Sequence, residues 1–167
     1  MMRLAARSFV LALLVTLLPA GQARAAVPGY DSSFTGETAF LNAIPGQTGS
    51  FTVFFMNTGT TTWEKGTPTQ VNLAICRNDK TTCNVGSPQA AWNDGTWLSK
   101  IAYATTTQDR VAPGQVAAFT YSFKTPIDAA VGTYRFNGDL VLARTLNHIH
   151  AEGYYQDAVV PRGDAGN

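Results

Sequence analysis

Two stretches of this chain alternate apolar and polar side chains too strictly to fold as anything but β-strand. In Gln115 to Lys124, Ala117, Phe119, Tyr121 and Phe123 share one face, and Val116, Ala118, Thr120 and Ser122 the other. In Gly49 to Asn57, Phe51, Val53 and Phe55 alternate with Thr52, Phe54 and Met56. A period of two puts each set on one side of a pleated strand. The large aromatics of the first stretch belong inside, because packed sheets interdigitate bulky side chains from their inner faces.

No window sustains a helical stripe over three turns, and short β-branched or aromatic runs recur between turn signals. The expected strands are Thr38 to Ile44, Gly49 to Asn57, Gln70 to Cys76, Ser99 to Ala104, Gln115 to Lys124, Gly132 to Ala143 and His150 to Val160. Such a set of short strands predicts an all-β antiparallel sandwich or barrel. Pro45-Gly46 and Pro113-Gly114, each followed by glutamine, start two of these strands with tight turns.

The chain opens with a basic segment, MMRLAAR, then the apolar run SFVLALLVTLL and the small-x-small triplet Ala23, Arg24, Ala25. That order predicts a secretory signal peptide over residues 1–25. Removing 25 of 167 residues leaves 142, the size of a single domain, here residues 26–167. Nine of the twelve basic residues then remain against eleven acidic ones, a net charge of −2. No basic field invites a nucleic acid, and no second apolar run is long enough to span a membrane after cleavage. The expected location is secreted or periplasmic.

Cys76 and Cys83 meet an oxidising compartment after export, and their spacing suits neither a CxxC redox pair nor a zinc ribbon. A disulfide between them closes a short loop, worth about 2.5 kcal/mol on chain-entropy grounds. It opens the irregular segment 77–98, RNDKTTCNVGSPQAAWNDGTWL, which is longer than an ordinary connection and holds Trp92 and Trp97.

In NTGTTTW, Asn57 is placed to bond its own backbone, Gly59 permits a left-handed or tight turn, and Trp63 is placed to seal one end of the sandwich. FTVFFMNTGTTTW, VNLA at Val71 to Ala74, VAPGQVAAFTYSF at Val111 to Phe123 and TPIDAAVGTYRF at Thr125 to Phe136 together resemble the Ig-like modules of bacterial secreted proteins and the related four-tryptophan, or Next-to-BRCA1 central, domain. The resemblance runs from about Phe34 to Val160. It departs at Thr125-Pro126, where the pattern has Ala-Pro, at Phe136, and in the Cys76 to Cys83 loop. The resemblance implies an all-β, immunoglobulin-like antiparallel β-sandwich without catalytic residues, in which Asn57, Gly59, Trp63, Pro113, Gly114, Gly132 and Tyr134 are framework.

Three chemistries compete for the remaining residues. Trp92, Asn93, Asp94 and Trp97 in WNDGTW would, if exposed, form an aromatic and polar face for a sugar ring or a protein partner. His148, His150 and Glu152 would share one side of an extended segment and offer three ligands to a metal, against the plainer reading of solvent-facing polar residues. The serines lack a nucleophile elbow, and the aspartates fall in turns where capping is their ordinary work. No cofactor is called for. The residues therefore predict a non-catalytic binding or structural module with a protein, cell-envelope or glycan partner. A carbohydrate-binding module is the first alternative and a small secreted hydrolase the second.

Overall fold

The computed structural model describes residues 27–162; the expected leader at 1–25 lies outside the described residues. The strands are β1 (Ser32–Glu37), β2 (Leu41–Asn42), β3 (Thr48–Asn57), β4 (Trp63–Glu64), β5 (Val71–Ile75), β6 (Ala102–Thr105), β7 (Arg110–Val111), β8 (Val116–Lys124), β9 (Gly132–Leu142) and β10 (Tyr154–Val160). One sheet has the order β1-β3-β8 and the other β2-β10-β9-β5-β6, with a small β4-β7 ribbon at one end. Pairing is antiparallel except for β2 beside β10. The molecule is an all-β, immunoglobulin-like sandwich.

Alternation decides which face of each strand is core. Phe51, Val53 and Phe55 of β3 are buried, as are Ala117, Phe119, Tyr121 and Phe123 of β8. The opposite faces are part-exposed or exposed. Phe51 and Phe55 pack against Tyr121, Phe123 and Phe119 within the sheet, and Phe51 also reaches Phe136 of the facing sheet. The aromatic bodies thus supply most of the apolar area withdrawn from water.

Both Pro-Gly turns form. Gln47 N donates to Ile44 O and Gln115 N to Ala112 O, with Gly46 and Gly114 both at φ 81°, the positive value that a type II turn places at this position.

Strand boundaries depart from the sequence reading where alternation is weak. The expected strand Thr38 to Ile44 is instead β1 before it and the two-residue β2 inside it. The segment SSFTGE of β1 has no clear pattern and is held by pairing with β3, with a register shift between Phe34 and Gly36. The strand expected from His150 starts at Tyr154, so His150 and Glu152 sit in a loop. In place of a strand beginning at Ser99, β6 begins at Ala102.

Asn57 closes the end of β3. Its Oδ1 accepts from Gly59 N at 3.1 Å, and its Nδ2 donates to Thr61 O at 2.9 Å and Val111 O at 3.1 Å, all fully buried at Asn57 itself. Gly59 is required by proximity rather than by a left-handed backbone: a Cβ there would stand 2.5 Å from Gly29 O and 2.8 Å from Asp31 N. Trp63 is buried beneath this turn. Asn57→Ala strands one N–H and two carbonyls, so it should lower unfolding free energy by about 1–3 kcal/mol in urea titration without changing the slope.

Candidate functional site

Chain segments cross between the sheets on both sides. On one side the chain leaving β6 crosses to β8, where Thr106 bridges Phe119 and Thr107 N donates to Ala118 O. On the other, the chain leaving β1 crosses to β10 as β2, with Ala43 N donating to Val159 O, so only Tyr154 to Asp157 of β10 face β1 without main-chain pairing on that side. Side chains bridge them at two points: Phe34 N donates to Glu152 Oε2 at 3.0 Å, and Gln156 Nε2 donates to Thr38 O at 3.0 Å.

Between those ties lies a crevice of about 250 Å³, lined by Phe34, Glu37, Phe55, Glu152, Gly153, Tyr154 and Tyr155. Phe34 is exposed in its lining, and Phe40, also exposed, packs on Tyr155 at 5.8 Å. Burial pushes the Glu37 carboxyl above its ordinary value, and the negative charge of Asp157 adds to the shift. Glu152 is also raised, chiefly by burial; Asp139 and Asp31 oppose its charge, while Phe34 N and His150 partly offset them. No ion pair to Glu37 is formed by the described residues, and Glu152 has only His150 Nε2 at 3.8 Å. The nearby cations Lys80 and Arg135 lie over Tyr155, and Arg135 is already paired with Asp157. Tyr154 is buried at this wall, its hydroxyl beside that of Tyr121. The crevice is therefore aromatic, acidic and short of positive charge.

The residues singled out in the sequence do not converge there. Trp92 follows a short 3-10 turn, Ala90–Trp92, and its ring packs on Tyr134 at 4.5 Å and on Phe123 and Phe136. Trp97 packs on Tyr103 and Phe136, and its Nε1 donates to Ser122 O at 2.7 Å. They are only 3% and 8% exposed, so no aromatic platform exists at WNDGTW.

The polar residues between them are spent locally. Asn93 Oδ1 accepts from Gly95 N, and Asp94 accepts from Thr96 and from Ser122 Oγ. Burial works to raise the Asp94 carboxyl, but these donors together hold it below its ordinary value. The segment is a plug for the open end of the core, since the rings of Phe123 and Phe136 would otherwise meet water.

The remaining framework residues act as ties. Tyr134 Oη donates to Ala130 O at 2.9 Å near the start of β9, and Gly132 pairs with Val160. Gly114 N donates to Asn57 O, which joins the Pro113-Gly114 turn to the end of β3.

The two histidines face different surroundings. His148 is buried, with Nδ1 2.8 Å from Asp139 Oδ2 and Nε2 3.1 Å from Thr81 O. His150 is exposed, with Nδ1 2.7 Å from Asp31 Oδ1. Burial works against the Asp31 charge, but hydrogen bonds from His150 and Ser32 N leave its carboxyl below the ordinary value. His148, His150 and Glu152 do not form a shared ligand set, because the strand expected from His150 begins only at Tyr154, after all three. Neither ring addresses a hydroxyl or thiol nucleophile among the described residues.

Cys76 and Cys83 are disulfide-bonded across a hairpin in which Arg77 N donates to Thr82 O. Asp79 caps it, and donors on Thr82 and Thr81 hold its carboxyl at about 2. The crevice went unseen in the sequence because β1 and Glu152 lie outside any periodic pattern.

No protein-family model and no curated protein matches the chain. Three solved structures show the kind of likeness found. The CARDB domain of a Pyrococcus furiosus protein in complex with di-metal ions is 12% identical over 84% of this chain and 98% of that one, with a TM-score of 0.44. The ASH/PapD-like domain 7 of human CEP192 is 14% identical over 92% and 99%, with a TM-score of 0.45. AvmM, described as catalysing macrocyclization in alchivemycin A biosynthesis, is 11% identical over 87% and 96%, with a TM-score of 0.40. At these values no metal, partner or activity passes from them to this chain, and the sandwich assignment stands on the strand order and register above.

The plug role gives a direct expectation. Trp92→Ala removes a ring wedged among Phe123, Tyr134 and Phe136, and should cost about 3–5 kcal/mol in denaturant unfolding. Asn93→Ala, which loses only an exposed turn acceptor, should cost under about 1 kcal/mol.

Proposed function

We propose that this chain is an exported, non-catalytic recognition module, a single domain over residues 26–167, that takes a basic segment of a protein partner at the crevice between β1 and β10. The observation that carries the reading is the pairing of Glu37 and Glu152 in one aromatic-walled opening, both with raised carboxyl pKa values. A group whose charge is disfavoured by its surroundings is stabilised by an incoming opposite charge. An arginine or lysine side chain fits that need: its stem lies on Phe34 and Phe55 while its head meets the carboxylates. Phe34 in the lining, and Phe40 packed on Tyr155, supply exposed aromatic area for the flanking residues.

Export is supported by the leader pattern and by the Cys76–Cys83 bridge. The resemblance to secreted Ig-like modules and the Next-to-BRCA1 central domain supports a non-catalytic reading. No helix among the described residues is long and apolar enough to cross a membrane. The glycan reading loses its support with the burial of Trp92 and Trp97, and the hydrolase reading with the partners of the two histidines.

Two measurements test the crevice. Arginine- or lysine-containing extended peptides should bind the purified chain in a salt-sensitive manner and shift the backbone resonances of Phe34, Glu37, Tyr154 and Tyr155. Glu152→Gln, which keeps an acceptor for Phe34 N, should weaken that binding about fivefold, the worth of a part-exposed ion pair near 1 kcal/mol. No binding by any basic peptide, or equal binding by the variant, would sink the proposal.

The second measurement is thermal stability against pH. A carboxyl with a raised folded-state pKa favours folding below its unfolded value, 4.5 for Glu37, and that contribution is lost as pH rises through the folded value. Glu37→Gln should therefore raise the melting temperature at neutral pH and leave it unchanged well below pH 4.5.

A further inference from the structure

The disulfide stands beside two groups that ordinary sandwich packing does not require. Cys83 Sγ, a carboxylate oxygen of Asp139 and a ring nitrogen of His148 lie within 4.8 Å of one another, and Cys76 Sγ is bonded to Cys83. All four side chains are buried and they come from three segments: the cysteine hairpin, β9 and the 148 loop. We infer that reduction of this bridge opens a Cys76–Cys83–Asp139–His148 site for one Zn(II) ion.

The supporting geometry lies one shell out. A carbonyl only accepts, so the 3.1 Å contact with Thr81 O places a proton on His148 Nε2 and leaves Nδ1 directed at Asp139 Oδ2, 2.8 Å away. Asp139 Oδ1 is held by Leu140 N at 2.8 Å. An imidazole oriented by a backbone carbonyl and a carboxylate oriented by a backbone N–H are how metal ligands are commonly aimed. Tetrahedral zinc with ordinary Zn–N, Zn–O and Zn–S distances separates its ligand atoms by roughly 3.3–3.8 Å. Cys83, Asp139 and His148 need only a modest closure to reach that spacing, and Cys76, which lies outside that trio, joins it by turning its side chain once the bridge opens. Two thiolates, an imidazole and a carboxylate form a borderline-soft set that suits zinc.

In the oxidised chain the sulfurs are bonded to each other and no thiolate is offered. Exchange with two low-molecular thiols, or one dithiol, supplies two electrons and two protons: the Cys76–Cys83 bond breaks, two cysteine thiols form, and the reductant leaves as its own disulfide. Zinc then displaces both thiol protons, and His148 Nε2 stays on Thr81 O. The ion would hold the hairpin to β9 in place of the bridge it succeeds.

The test is zinc and cobalt titration of the phosphine-reduced full chain without oxygen. Reduced protein should take up one equivalent and give with Co(II) a thiolate charge-transfer band and tetrahedral ligand-field bands. The oxidised chain should give none of these. His148→Gln and the near-isosteric Asp139→Asn should shift the ligand-field bands and weaken zinc by about 100-fold or more. Failure of reduced wild-type chain to take up zinc stoichiometrically, or unchanged cobalt spectra in both variants, would each overturn the site. The wild-type stoichiometry and spectrum decide the matter even if a substituted chain fails to fold.

Discussion

Phe136 on β9 lies between the two sheets, fully buried, with ring centroids of Phe51, Phe123, Trp92, Tyr103, Tyr121 and Trp97 at 5.5–6.3 Å. Three of these neighbours come from the β3-β8 pair, one from β6 and two from the long loop. Edge-to-face and tilted contacts of this kind hold best when every ring is fixed by its own strand. Sheet spacing, the closure of one end by Trp92 and Trp97, and the seating of β6 all depend on this cluster.

An aromatic layer of that size sets how the edges can meet. The chain from β6 crosses to β8 on one side, and the chain from β1 crosses to β10 through β2 on the other. Ahead of that second crossing the partner of Phe34 N is a carboxylate from a loop, and the seam keeps an opening beside Phe55 and Tyr154. Side-chain capping of this kind also blunts the β1 edge against further strand pairing. It leaves Glu152 desolvated without a close cation, and Glu37 shares that condition. Electrostatic tension in the free protein is thus concentrated at the place the shape leaves open.

Much of this architecture was legible in local pattern. Period-two alternation identified β3 and β8 and chose the buried face of β8, and the Pro-Gly pairs located the turns that start them. Cys76 and Cys83 were close enough in sequence for their pairing to be read directly. The weaker elements were not readable. SSFTGE becomes β1 because β3 needs a partner on that edge, and Glu152 gains its role from Phe34, 118 residues away. WNDGTW carried the right residues for a binding face and the wrong exposure: whether a tryptophan is platform or plug depends on the void beneath it, and that void is made by Phe123 and Phe136. His148 and His150 looked like one set because an extended chain would align them, but the chain there is a loop that turns one inward to Asp139 and the other outward to Asp31.

By itself the sequence determined what short-range sterics and alternation can determine: all-β class, the core faces of the longest strands, the Pro-Gly turns, the Asn57 turn and the cysteine bridge. These follow from each residue and its near neighbours. Only the tertiary structure decided where the seam between the sheets stays open, whether aromatic rings are covered, and which charges are left without partners. Those properties depend on distances between segments far apart in the chain, where burial and Coulomb interaction act and sequence spacing carries no information.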